Sequence, residues 1–166
     1  MLILICGLPA TGKSTVARRL AKALDAEVLR TDIVRKALIG NPTYTEEEKN
    51  LIYKTVFLIA EYLIKHDVNV IIDGTFYKDL LRKEAKNIAK KHCKRFFLIE
   101  TSCPEAVVLK RLGKRERNLK SPSDADIDVY YKIKGLFEPI KESHITIDTD
   151  WGLEDSLKEA LEKIKA

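Results

Sequence analysis

The stretch Gly7-Leu8-Pro9-Ala10-Thr11-Gly12-Lys13-Ser14 constrains this chain more than any other. It is a complete G-x-x-x-x-G-K-[ST] pattern, and its flanks agree with it. Leu2-Ile3-Leu4-Ile5-Cys6 in front is an apolar run fit for a buried parallel strand. Behind it, Val16, Ala17, Leu20 and Leu24 recur at helical spacing. A strand, a glycine-bearing turn and a helix start gather backbone N–H groups and the positive helix end around a phosphate. Gly7, Leu8, Pro9, Ala10, Thr11, Gly12, Lys13, Ser14 and Thr15 are therefore read as nucleotide-binding residues. Lys13 is expected to reach the β- and γ-phosphates, and the Ser14 hydroxyl to ligate Mg²⁺.

Composition bounds the rest. At 166 residues, 45% hydrophobic and 33% charged, the chain fits one domain with a real core and has the profile of a soluble protein. Its longest apolar runs are strand-sized, which excludes a transmembrane helix. The first strand starts at once, leaving no space for a signal peptide. Cys6, Cys93 and Cys103 show no metal-binding spacing and read as reduced thiols of a cytoplasmic protein. The absence of Gln, with abundant Lys, Glu and Ile, suggests a thermophilic source. Nothing in the sequence marks an obligate protein partner.

Along the chain, strand patterns at 27–29, 68–73, 95–99 and 145–148 alternate with helical ones. Thr45-x-x-Glu48 resembles a capping box for a long helix to about His66. Pro104 opens a helix over Glu105–Leu112, Ser123-x-x-Asp126 another through Tyr130, Tyr131 and Ile133, and Leu153–Ile164 closes the chain. Alternating elements imply an α/β fold: a five-stranded parallel sheet with helices on both faces.

In such a sheet, ligands gather beyond the carboxyl ends of the strands. Asp32, just past the second strand, can accept a proton from an attacking hydroxyl, or cap the next helix. Arg35 can hold a substrate phosphate or neutralise an acid. Asp73 ends an apolar strand, where it can orient Mg²⁺ or cap a helix, and the Thr75 hydroxyl is expected in the same crevice. Arg111, Lys114, Arg115 and Arg117 crowd a glycine-containing segment that reads as a closing lid over about 113–124. Lys90, Lys91, Lys94 and Arg95 read as a solvated face. His66, His92 and His144 are assigned no catalytic part. Trp151 and Tyr44 are read as buried or staple aromatics, with base stacking the other reading.

The ordered set GLPATGKST, TDIVR, VIIDGTFY, KRLGKRERN and SDADIDVYYKIKGLFEP resembles the small P-loop kinases that phosphorylate hydroxyl groups. These include polynucleotide 5′-kinases, seryl-tRNA(Sec) kinases, and zeta-toxin and chloramphenicol-phosphotransferase relatives. The likeness runs over nearly the whole chain and is strongest to the kinase domain of archaeal seryl-tRNA(Sec) kinase. It implies a three-layer P-loop NTPase fold with an arginine-rich lid, and ATP and Mg²⁺ as cofactors. It also implies Asp32 as the acceptor-activating base, and Arg35, Asp73 and Thr75 near acceptor or metal. Lys13 and Arg115 would act on the transferring group, with Arg111 and Arg117 on the nucleotide. Those kinases carry D-D-T-N where this chain has Asp73-Gly74-Thr75-Phe76, and they append a tRNA-binding domain for which 166 residues leave no room. The acceptor stays open: a polynucleotide 5′-hydroxyl, a nucleoside-like molecule or another small alcohol. A nucleoside-monophosphate or adenylylsulfate kinase, and an NTP-hydrolysing switch without an acceptor, are the other readings.

Overall fold

Strand β1 (Leu2–Cys6) is wholly buried, so its alternate side chains feed two separate cores. Leu2, Leu4 and Cys6 join Ile52, Val56, Phe57 and Phe76 on one face of the sheet. Ile3 and Ile5 join Val16, Leu20, Leu157 and Ile164 on the other. In the computed structural model, which describes residues 1–115 and 125–166, this gives a three-layer α/β/α arrangement. The strands are β1, β2 (Ala26–Arg30), β3 (Asn69–Asp73), β4 (Phe96–Ser102) and β5 (Ile145–Asp148). They lie in the order β2-β3-β1-β4-β5, and every pairing is parallel.

The helices are α1 (Lys13–Leu24), α2 (Thr31–Leu38), α3 (Glu46–Lys65), α4 (Asp79–Lys91), α5 (Glu105–Arg115), α6 (Ile127–Leu136) and α7 (Leu153–Lys165). α3 and α4 cover the first core, α1 and α7 the second. A third cluster of Ala10, Val108, Leu112 and Tyr130 ties α5 and α6 to the loop after β1.

Several boundaries correct the sequence reading. α5 runs on to Arg115 instead of stopping at Leu112, so residues 113–115, the start of the expected lid, are helical. Among the described residues, nothing lies within 4 Å of a Cβ position at Gly113, and the glycine does not break the helix there. α6 is capped by Asp126, whose side chain accepts from Val129 N; Ser123 lies outside the described residues. Thr45 does cap α3, accepting from Glu48 N at 3.2 Å, but the Glu48 carboxylate accepts from Thr43 N and Tyr44 N. Trp151 is 83% exposed, not buried, because it sits in the β5–α7 connection outside both cores.

Arg82 of α4 is completely buried. Its guanidinium donates to Phe76 O at 3.0 Å and Glu138 O at 2.9 Å, and it lies over the Phe137 ring. Removing it leaves buried carbonyls without donors. Arg82→Met is expected to lower stability by about 2–4 kcal/mol, read from urea denaturation.

Candidate active site

The phosphate loop is held in shape by residues far along the chain. Gly7 has φ 139° and Gly12 φ 91°, both in the region that favours glycine. A Cβ on Gly7 would stand 2.7 Å from Thr101 O and Oγ1, so a side chain there has no room. Ala10, with φ 63°, is a non-glycine residue in the left-handed region at the loop's crest. Thr11 Oγ1 donates to Leu8 O at 2.8 Å and shares a hydrogen bond with Thr101 Oγ1 at 2.7 Å. Thr149 Oγ1 donates to Thr11 O at 2.7 Å. Pro9 and Ala10 line the cavity in front of the loop, and Leu8 packs on the third cluster.

Lys13, first residue of α1, turns its ammonium back to Gly7 O at 3.0 Å and Leu8 O at 2.7 Å. Ser14 Oγ donates to Asp73 Oδ2 at 2.6 Å, and Thr15 follows in the first turn. Asp73 is buried at the end of β3. One hydroxyl and one carboxylate in contact form a hard oxygen pair of the kind Mg²⁺ takes alongside phosphate oxygens and water. Among the described residues, no group of three or more His, Cys, Asp or Glu could hold a metal alone. The donor set therefore suits a metal that arrives with its phosphates.

Sequence reasoning missed Arg30. Its side chain donates to Ser14 Oγ at 3.1 Å and stands 3.3 Å from Asp73 Oδ2. Arg30 and Asp73 are direct partners across the β2–β3 pairing, so the contact follows from strand adjacency.

Asp32 lies on the first turn of α2 and lines the same cavity as Lys13, Ser14, Asp73 and Thr75. Burial pushes its carboxyl above the ordinary value; Lys13 opposes this, and the neighbouring Asp73 charge adds to it. Arg35 stands 2.9 Å from Glu48 Oε1 and 3.8 Å from Asp32 Oδ1, and over the Tyr44 ring at 4.7 Å. Of its two expected uses, the one visible here is neutralising an acid. Glu48 was not singled out for this; the i, i+3 spacing that marks a cap hides a carboxylate aimed at α2. Tyr44, 40% exposed, borders the cavity and is not a buried staple.

The cavity measures about 330 Å³. Tyr53, Tyr77 and Lys49 also line it, as do Val129, Lys132 and Ile133 of α6. Tyr53 is nearly buried, which raises its phenol's pKa. Arg111 lies on the far side of the phosphate loop. It donates to Ala10 O at 3.2 Å, Thr149 Oγ1 at 3.0 Å and Thr149 O at 2.7 Å. The Arg115 side chain, Arg117 and the remainder of the expected lid lie outside the described residues.

The model of an AAA domain matches residues 2–140. The chain belongs to that family. Its fold and phosphate loop are those of P-loop kinases, to which its relatives point. It is 29% identical to the L-seryl-tRNA(Sec) kinase of Methanococcus maripaludis over 137 residues, which are 80% of this chain and 52% of that one. The chain thus spans about half the length of that relative. It is 26% identical to the probable adenylyl-sulfate kinase of Aeropyrum pernix over 157 residues, 90% of this chain and 84% of that one. Among solved structures, the APS kinase of Mycobacterium tuberculosis, in complex with AMPPNP and APS, superposes with a TM-score of 0.75. Only 16% of residues are identical there, over 99% of this chain and 97% of that one, so this likeness bears on fold alone. No helix among the described residues is long and apolar enough to cross a membrane.

Proposed function

We propose that this AAA-domain protein is an ATP- and Mg²⁺-dependent kinase that moves the γ-phosphoryl group to a hydroxyl acceptor. One observation carries the reading: Asp32 opens into the same cavity as Lys13, Ser14 and Asp73. An acceptor hydroxyl within reach of Asp32 gives its proton to that carboxylate. Its oxygen forms a bond to the γ-phosphorus as the bond to the β–γ bridging oxygen breaks, and ADP leaves. Lys13 swings from the loop carbonyls onto the β- and γ-oxygens, and the loop N–H groups hold the phosphate chain. Ser14 and Asp73 hold Mg²⁺, which when bound neutralises charge on the phosphate oxygens. Arg35, anchored by Glu48, fixes the acceptor side, with Thr75 also lining the cavity.

We further propose that residues 1–166 act as one kinase domain, cytoplasmic and from a thermophile, with no obligate protein partner. The acceptor is a polynucleotide 5′-end, a nucleoside-like molecule or another small alcohol. The adenylylsulfate-kinase reading draws support from the long alignment with the Aeropyrum pernix protein. The test is transfer from γ-labelled ATP to 5′-OH oligonucleotides, tRNA, nucleosides, adenylylsulfate and sugars. Label in any acceptor supports a kinase; label released only as inorganic phosphate, with every acceptor, makes the chain a hydrolysing switch.

Arg115 and Arg117 are proposed to meet charge that develops on the transferring group. Arg115→Ala and Arg117→Ala should then lower kcat by ~10² while changing the KM for ATP far less, with Arg115 the larger effect. If they also grip a polynucleotide, the slope of log affinity against log salt falls by about one for each phosphate let go. Steady-state kinetics and a salt titration with a 5′-OH oligonucleotide read both.

A further inference from the structure

Helix α3 is apolar on two sides. One stripe, Ile52, Val56, Phe57, Ala60 and Ile64, packs on the sheet. Leu51, Leu58 and Tyr62 form a second stripe that points away from the protein, 53%, 69% and 64% exposed. Leu80 of α4, 73% exposed, stands on the neighbouring helix. α4 runs alongside α3 in the same direction, as the Glu46–Lys78 and Glu61–Lys91 pairs at its two ends record. A surface helix ordinarily has one apolar stripe, and a second marks an interaction surface. With Thr55 between them, Leu51, Leu58 and Tyr62 recur at alternating steps of four and three, the spacing of a helix–helix seam.

The charges beside the seam choose the occupant. Glu47 precedes the stripe and Lys65 follows it, on the same flank of the helix, and neither has an ion-pair partner among the described residues. A second α3 laid antiparallel, with Leu51 opposite Tyr62 and Thr55 opposite Leu58 of the other copy, brings Glu47 of each copy beside Lys65 of the other. Two-fold symmetry makes that pair twice. Parallel copies would put these flanks on opposite sides of the seam, each Glu47 level with the other Glu47 and each Lys65 with the other Lys65, so no such pair forms. We propose that two copies of this chain associate through the outer face of α3, antiparallel about a two-fold axis. The inner face of the same helix supplies Lys49 and Tyr53 to the cavity wall, so the dimer would brace that wall from behind. The proposal does not depend on the kinase reading.

The test is sedimentation equilibrium of the whole chain at about 1–200 μM, the range suited to an interface at the small end of stable ones. A dimer is expected in the upper part of that range. Leu58→Glu should give a monomer at all concentrations, with unchanged circular dichroism and ATP binding. Glu47→Lys and Lys65→Glu should each weaken the dimer about tenfold, since each reverses both symmetric pairs, and the double variant should restore it. A chain monomeric throughout overturns the proposal and makes the stripe a surface for a different protein. A dimer unmoved by Leu58→Glu, or one that the double charge reversal fails to restore, overturns it equally.

Discussion

Lys13→Ala is expected to lower phosphoryl transfer by ~10³ while leaving the folded protein intact. Without nucleotide, the ammonium donates to Gly7 O and Leu8 O, at 3.0 and 2.7 Å. Both hydrogen bonds are only part-buried, so water replaces the missing donor and stability changes by only about 1 kcal/mol. The loop conformation rests on Thr101, Thr149 and Arg111, none of which the substitution touches. The loss therefore falls on the step in which charge builds between the β- and γ-phosphates. Thermal stabilisation by ATP should shrink as affinity falls. Kinetics beside a melting curve separate the two effects; an alanine variant with near-normal transfer removes Lys13 from its proposed role.

The second large effect belongs to Asp32→Asn, and it has two signs. Turnover should drop by ~10² or more, because the amide keeps the shape but cannot take the acceptor proton. Stability at neutral pH should rise. Desolvation raises the Asp32 carboxyl above its unfolded value, by an amount that water at its 40%-exposed side chain limits, with Lys13, Arg30 and Arg35 opposing and Asp73 adding. The folded state then binds the proton more tightly than the unfolded one. Stability is lost as pH climbs from the unfolded value through the raised folded one, and the ionised group is a burden above that window. Asparagine carries no such burden. The same shift moves the acid limb of kcat/KM upward from where an unperturbed Asp would set it, since the base must be ionised, and Asp32→Asn should flatten that limb. An equal collapse of ATP affinity in the variant would make Asp32 a nucleotide or structural residue instead.

What could be read from the chain depended on the distance over which each feature is built. The phosphate loop is a local device: glycines at the strained positions, an apolar strand before and an amphipathic helix after, all within two dozen residues. The five parallel strands followed from periodicity in the same way. Arg30 was invisible because its meaning comes from β2 lying beside β3, a pairing that no local pattern encodes. Glu48 was half legible: its backbone N–H is capped as expected, while its carboxylate turns to Arg35 across the α2–α3 connection. Arg111 was singled out for the nucleotide, while its bonds to Ala10 O and Thr149 and the extra turn of α5 were not foreseen. Gly113 hid that turn, since a lone glycine costs a helix only about 1 kcal/mol.

The two threonines that shape the phosphate loop have a consequence for how the protein is made. Thr101 lies near the end of β4 and Thr149 follows β5, so the groups that fit Gly7 and hold Thr11 leave the ribosome long after the motif itself. A nascent chain that has only reached β3 carries every letter of the motif and lacks the floor beneath it. Closing contacts so distant in sequence is slow compared with winding α1. Nucleotide capture should accordingly be among the last abilities gained during synthesis. It would report completion of the sheet, where a helix signal would report only its beginning.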